Sequence, residues 1–456
     1  MENYFMNIII AGCGKVGLTL GEQLVAENHE VTFIDSSQEK LQKVVGMLDV
    51  QVLLGNCTVY STLREAGIEH ADLFIAVTNS DEINLLSCLI AKKAANCHTV
   101  ARVRNPEYNE DIQFIKSELG LSLTINPEWA SAVEIARLIQ IPSAMEANSF
   151  AGNHVNMIRF VIPENSILNN MKIADIGHKY SNKILVCVIE RNHEILIPSG
   201  DIILKSGDSI SVIIPLASVN HICTEIGIDT KPIKNVTIAG GGTISYYLAK
   251  LLIRMNVNVK IIELDRKRCE ELSSLLPKAL IINGDATDSQ LLAEEGVSET
   301  DAFVALTGFD EENLLLSLHT HKISKAKNII KINRINFDEV IGELNVGSVI
   351  YPKNITTEFI TQYVRAMENS MGNSVETLYK LMENKVEALE FKVKDTPGIT
   401  GIQLQDLELK KNLIICCINR HEKIITPTGR DMILEGDSVI VVTTHLGLKN
   451  LCDILI

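Results

Sequence analysis

The sequence predicts an α/β chain built from two doubly wound parallel-sheet units, each followed by a small β-rich α+β module. Three observations predict this. An apolar strand, a glycine turn and a helix start occupy residues 7–17. Strand-like and helix-like stretches alternate after them, which implies right-handed βαβ crossovers. The whole pattern then restarts at Asn235.

Composition sets the outer limits. A chain of 456 residues with 46% hydrophobic and 22% charged residues has room for two to four domains with ample cores. Its net charge of −15 argues against a nucleic-acid partner, which calls for a basic footprint. No apolar run approaches the roughly 18 residues of a membrane helix, and the first residues lack the basic and apolar regions of a signal peptide. The ten cysteines include no Cys-x-x-Cys pair, so reduced thiols in a cytosol are expected.

The first unit opens with Asn7-Ile8-Ile9-Ile10-Ala11-Gly12-Cys13-Gly14-Lys15-Val16-Gly17. Gly12 makes the tight turn, Gly14 lets the backbone approach a pyrophosphate, and Gly17 lets helix and strand pack closely, as in a Rossmann-like fold. The helix N-terminus behind them offers free donors and a partial positive charge. A helix is expected over residues 18–27, then a strand ending on Asp35, 23 residues beyond Gly12. That is close to the ~20 expected for an acid that accepts from ribose hydroxyls. Further strands are read at 50–54, 72–77, 99–103 and 123–125, with a turn at Gly55-Asn56-Cys57-Thr58 and a helix at 62–67. The polar run Thr78-Asn79-Ser80-Asp81-Glu82 suits a loop that caps the next helix and faces a ligand.

From residue 153 to 227 short β-type runs alternate with turn signals such as Pro198-Ser199-Gly200-Asp201, and no catalytic constellation stands out. After Lys231-Pro232 the programme repeats. Gly12 recurs as Gly240 and Asp35 as Glu263, 228 residues on; Gly55, Asp72, Thr78, Asp81 and Asn84 recur as Gly284, Asp301, Thr307, Asp310 and Asn313 at 229. Pro198, Gly200 and Gly207-Asp208 recur as Pro427, Gly429 and Gly436-Asp437. The division expected is 1–140, 141–230, 231–370 and 371–456. A doubled chain predicts a pseudo-twofold contact between the parallel-sheet units. Amphipathic helices carrying Trp129, Ala132, Val133 and Ala136, and Ile360, Tyr363, Val364 and Met367, suit that contact, although such spacing also fits ordinary core.

The first candidate site comprises Gly12, Cys13, Gly14, Lys15, Val16 and Gly17 for phosphates, Asp35 for the ribose, and Thr78 and Asn79 along the crevice. Asp35 is followed by Ser36-Ser37 rather than arginine, which favours NAD over NADP. Arg102 either forks a phosphate or pairs with a neighbouring acid, and Lys15 either meets phosphate or points to water. The second candidate site comprises Gly240, Gly241, Gly242, Thr243, Ile244 and Glu263. There Ser245 replaces Gly17 and is expected to push helix and strand apart, and Lys331 replaces Arg102, keeping the charge but not the fork. That site either binds a nucleotide with a different preference or has become structural. His319 and His321 are too close in sequence to share a helix face as metal ligands, and no P-loop or hydrolase motif is present.

The order Gly12-x-Gly14-x-x-Gly17, Asp35, Gly55–Thr58, Thr78–Glu82 and Ala101-Arg102-Val103 resembles the N-terminal domain of the RCK (regulator of potassium conductance) family, and the β-rich module resembles its C-terminal companion. The tandem arrangement is similar to the TrkA-type regulatory subunits of potassium uptake; Ser245, Lys331 and Cys57 depart from the family pattern. The resemblance implies no catalytic residues and no metal. Its implied ligands are NAD(H) and ATP/ADP, and its implied partner is a membrane potassium-transporter subunit of the TrkH/TrkG type. It also implies a homo-oligomer, dimer or tetramer ring, on the cytoplasmic face of the inner membrane. Competing readings are an NAD-dependent dehydrogenase with duplicated cofactor domains, which needs a general base on a substrate domain, and a nucleotide sensor with a non-channel partner.

Overall fold

The computed structural model describes residues 5–141, 144–150, 155–179, 184–192, 194–215, 218–227, 231–333, 340–341, 344, 346–370, 375–382, 385–394, 396–421 and 423–456. Position 230, the expected end of the first module, lies outside them. The apolar run at 7–11 is β1 (Asn7–Ala11). It lies central in a parallel sheet with β2 (Glu30–Asp35), β3 (Gln51–Leu54), β4 (Leu73–Ala76), β5 (His98–Arg102) and β6 (Leu123–Ile125), in the order β3-β2-β1-β4-β5-β6. Ile8 and Ile10 face one core and Ile9 and Ala11 another, which is why the strand is apolar throughout rather than alternating. Strand order reverses between β1 and β4, leaving a crevice at their carboxyl ends.

An antiparallel sheet follows: β7 (Glu146–Phe150), β8 (Val155–Val161), β9 (Leu185–Arg191), β10 (Glu194–Leu196) and β11 (Ser209–Pro215), ordered β10-β9-β11-β8-β7. The polar segment of β7 carries no apolar alternation, so the sequence pattern did not mark it as a strand.

The second half repeats both sheets. β12 (Asn235–Ala239), β13 (Asn258–Glu263), β14 (Leu280–Asn283), β15 (Ala302–Ala305), β16 (Lys327–Lys331) and β17 (Ser348–Ile350) run β14-β13-β12-β15-β16-β17. β18 (Val375–Leu381), β19 (Val386–Lys392), β20 (Leu413–Arg420), β21 (Lys423–Ile425) and β22 (Ser438–Thr443) run β18-β19-β22-β20-β21. The recurring Gly-Asp turns have a structural cause. Asp208 takes both Arg191 Nε and Nη2 across 2.7 Å. Asp437 takes Arg420 in the same way at 2.9 and 2.8 Å. Gly207 and Gly436 both stand at φ +86°, where a side chain is strained.

Four helices bring the halves together: α1 (Lys15–Ala26), α2 (Pro127–Gln140), α3 (Thr243–Arg254) and α4 (Pro352–Ser370). Each half's last long helix crosses to the other half. Ala132, Ile135 and Ile139 of α2 share a core with Ile244 and Leu248 of α3 and with Val236 of β12. Ile360, Val364 and Met367 of α4 share one with Leu20 and Leu24 of α1 and with Ile8. Val133 is half-buried, outside that core. Val133 apart, the residues read as either contact or core are therefore both, because each helix completes the core of the opposite unit. The β-rich modules also pack together, Phe150, Met157 and Cys187 against Leu381, Val386 and Cys416. All ten cysteines are free thiols. Among the described residues no helix is long and apolar enough to cross a membrane.

Candidate functional site

In the first crevice Gly12 stands at φ +108°, where a Cβ would lie 3.0 Å from the Val77 carbonyl. A Cβ on Gly17 would lie 2.0 Å from the Gly12 carbonyl oxygen, so only glycine permits this approach of helix to turn. A Cβ on Gly14 would meet nothing within 4 Å. The loop is thus closed at its base and open at its rim.

The helix behind the loop begins one turn earlier than residue 18. Gly14 is its N-cap, no side chain caps it, and its first turn holds no acid. By contrast Ser37, Ser80, Asn126 and Asp265 each cap their own helices. No side-chain cap therefore competes with an anion at the start of α1.

Asp35, 9% exposed, accepts from the Cys13 amide at 2.7 Å and from the Ser37 amide at 2.8 Å. Each oxygen keeps a further lone pair for a hydroxyl donor. Lys40, which the sequence reading missed, holds its Nζ 3.9 Å from Asp35 Oδ2. Lys15 is exposed and Val16 half-buried. Burial, reinforced by the Asp35 charge, pushes the Cys13 thiol up to about 12, so Cys13 fills space in the turn as a neutral thiol.

Thr78 and Asn79 sit at the end of β4 beside the crevice, Thr78 half-buried and Asn79 exposed. The fully buried Asn84 fixes this loop: its Oδ1 accepts from the Thr78 amide at 2.8 Å, and its Nδ2 donates to the Arg102 carbonyl at 2.9 Å. Among the described residues Arg102 pairs with no acid. Its Nη2 donates to the Thr78 carbonyl at 2.6 Å, while its buried Nε has no partner among the described residues. Burial, then the neighbouring Arg104, lowers its pKa. Arg104, also unmarked by the sequence reading, donates to the Asn79 carbonyl, and its Nε lies 3.7 Å from Asp81. Two guanidinium groups thus brace the strand end.

The second crevice repeats the design with substitutions. Gly240 stands at φ +95° and Gly242 is an uncapped N-cap with open space beside it. Glu263 accepts from the Gly241 amide and, at 2.7 Å, from the Asp265 amide. Arg268, at the position of Lys40, donates to the Gly241 carbonyl at 2.8 Å, whereas Arg266 pairs with Glu270. Ser245 is fully buried and its Oγ donates to the Gly240 carbonyl. Its hydroxyl is thereby bonded into the turn, and Gly14 and Gly242 keep one N-cap conformation, with ψ −175° in both and φ −73° and −67°. Lys331 Nζ lies 3.3 Å from the Leu306 carbonyl, and burial pushes its pKa down.

A cleft of about 220 Å³ opens here, lined by Gly242, Thr243, Ile244, Ser245, Lys331 and, from the first half, Glu128. Glu128 follows Pro127 at the start of α2. Burial raises its carboxyl pKa, and its Oε2 has no hydrogen-bond partner among the described residues. The crossing of the helices therefore delivers a carboxylate from one half to the phosphate-type cradle of the other. Among the described residues no cluster could hold a metal ion.

Comparisons with known proteins agree with this architecture. The TrkA-N domain model matches residues 8–127 and 236–352, and the TrkA-C domain model matches 157–227 and 388–456. A Trk system potassium uptake protein TrkA homolog of Archaeoglobus fulgidus is 36% identical over 437 residues, covering 96% of this chain and 97% of that protein. The Trk system potassium uptake protein TrkA of Haemophilus influenzae is 31% identical over 440 residues, with 96% and 95% covered. Among solved structures, the GsuK channel bound to NAD superposes with TM-score 0.62 at 16% identity, over 97% of this chain and 77% of that one. The GsuK RCK domain gives TM-score 0.62 at 15% identity, over 97% and 93%. With both domain models matched twice in the order the strands dictate, and full-length relatives above 30% identity, the chain belongs to the TrkA family of tandem TrkA-N/TrkA-C proteins.

Proposed function

We propose that this protein is a cytoplasmic regulatory subunit of potassium uptake that binds adenine nucleotides, ATP, ADP or NAD(H), and converts their binding into movement of its two halves. Residues 1–140 and 231–370 act as the nucleotide-binding domains, and 141–230 and 371–456 as the C-terminal domains. In the first site the amides of Gly14, Lys15 and Val16 receive phosphate, Asp35 accepts from ribose hydroxyls, and Thr78 and Asn79 border the ligand. Gly242, Thr243, Ile244 and Glu263 do the same in the second. The partner is the membrane subunit of a potassium transporter, engaged at the inner face of the membrane by an oligomer of this chain.

The observation that carries the reading is the helix crossing. Because α2 completes the core of the second unit and α4 that of the first, a ligand at either glycine loop presses on a helix belonging to the other half. A nucleotide then biases the arrangement by its difference in affinity for two arrangements, with about 1.4 kcal/mol giving tenfold. The relatives' names, as potassium uptake proteins, support the same physiology and do not favour a dehydrogenase.

The test is calorimetry of the purified chain with ATP, ADP, NAD and NADH, followed by potassium flux through a co-purified transporter. Saturable binding that Asp35→Ala and Gly14→Asp weaken, with flux responding to the same ligand, is the expected result. Unchanged affinities in both variants overturn the first site, and steady NADH consumption with a small carbonyl substrate overturns the regulatory reading.

A further inference from the structure

The duplicated halves are not equivalent where the helices cross. Tyr246, Tyr247, Lys250 and Arg254 of α3 stand where α1 has Leu18, Thr19, Glu22 and Ala26, and Trp129 stands where α4 has Asn354. The first-half contact closes on Glu27 and Arg365, whose groups meet at 2.6 and 3.2 Å. The second closes on Gln140 Nε2 and Met255 Sδ at 3.5 Å and also encloses a cleft of about 160 Å³.

Its walls are flat and apolar. The Trp129 and Tyr247 rings meet edge to face at 5.4 Å, Tyr246 and Tyr247 lie 5.5 Å apart, and Pro106 faces them from the first half. The charges leave a residue of one. Lys250 is neutralised by Glu110 at 2.9 Å and rests 5.6 Å from the Tyr246 ring centroid. Arg254 lines the same cleft, is exposed, and has no carboxylate partner among the described residues. Asn109 lines it too, with no side-chain hydrogen bond among the described residues.

We propose that this cleft between the halves is a binding site for a small aromatic carboxylate, held by the Arg254 guanidinium and Asn109 amide at its acid end and by Trp129, Tyr246 and Pro106 along its ring. The planar guanidinium matches a carboxylate in bidentate fashion. One uncompensated positive charge beside the Glu110 carboxylate suits a monoanion and disfavours a polyphosphate, which separates this site from the glycine loops. At roughly 30 Å³ per water, the space holds about five waters, the scale of a single substituted ring. Such a ligand would touch both halves at once and bias their relative arrangement, independently of the nucleotide crevices.

Trp129 is the chain's single tryptophan, so its fluorescence reports the cleft directly. The experiment titrates the full-length protein with benzoate, exciting at the red edge of indole absorption. The expected result is a saturable change with a millimolar Kd, weakened at least tenfold by Arg254→Met and at least threefold by Asn109→Ala. Cyclohexanecarboxylate should bind more weakly than benzoate, and Gly14→Asp should leave the benzoate curve unchanged. A purely linear quench, or equal affinity in wild type and Arg254→Met, overturns the proposal. Nucleotide binding measured in Arg254→Met keeps this outcome separate from that of the first crevice.

Discussion

The ammonium of Lys327, first residue of β16, donates to the Leu138 carbonyl of α2 across 2.7 Å. It also reaches the carbonyls of Ile141 at 3.0 Å and Ala144 at 2.6 Å, so it gathers the end of the crossing helix and the chain leaving it. His98 holds the same place in β5, and its Nδ1 lies 2.9 Å from the Tyr363 hydroxyl on α4. Each sheet therefore grips the helix of the other half at one equivalent position, by different chemistry.

Burial pushes the Lys327 ammonium down to about 7 from its ordinary 10.5. Between those values the unfolded chain binds more protons than the folded one, so this group makes stability rise with pH. Urea unfolding of wild type and Lys327→Met should show the difference in stability moving in favour of wild type as pH is raised from 7 to 10. The limiting slope is about 1.4 kcal/mol per pH unit. A flat difference across that range would contradict the assignment.

Glu27 and Arg365 form a cross-half ion pair whose side chains are 18% and 11% exposed. Removing one partner strands a charge, at a cost of about 3 kcal/mol. The equivalent contact is Gln140 Nε2 to Met255 Sδ at 3.5 Å, a weak bond to a neutral acceptor. Arg365→Ala should therefore lower the urea midpoint clearly, and Gln140→Ala should cost about 1 kcal/mol or less.

Gly14 and Gly17 should respond differently. Open space beside Gly14 lets Gly14→Asp fold, with its carboxylate at the α1 N-terminus where a phosphate would lie. Thermal melting should be nearly unchanged while ADP binding falls about 100-fold, roughly 2.7 kcal/mol. Gly17→Ala places its Cβ against the Gly12 carbonyl and should lose stability first.

Glu128 faces the second crevice with a carboxyl that burial already disfavours as an anion. In EDTA, and in a Gly14→Asp background that silences the first loop, Glu128→Gln should tighten ADP binding at the second. Removing one like charge several ångströms away is worth about 1 kcal/mol, roughly three- to tenfold. Equal affinities would show that the carboxylate does not face the ligand's phosphates.

Much of this molecule was legible because its signals are local. A short apolar run, Ile8 to Ala11, that ends on a glycine at positive φ leaves one backbone path, and the repeat from Gly12 to Gly240 announces the second unit in the sequence itself. The spacing from Gly12 to Asp35 was read as that of a ribose acceptor, and the structure sets this acid against the loop, where it accepts from the Cys13 amide. What the sequence did not show at Ser245 is the bond of its hydroxyl to the Gly240 carbonyl, which ties the side chain into the turn. Lys40, Arg104 and Arg268 carried no motif; long side chains reach the loops from positions that only folding brings near.

By itself, then, the amino-acid order determined the strands of the parallel sheets, the turns and the two glycine loops, which follow from local backbone preferences and periodicity, and the doubling, which follows from the repeat at 228–229 residues. Only the tertiary structure decided which half each long helix serves. Apolar spacing states that Ile360 and Ile135 must be buried, but not against what. Burial area is indifferent to the identity of its partner, so the crossing is settled by the geometry of the assembled halves. That crossing also places Glu128 in the second crevice and opens the cleft beside Trp129.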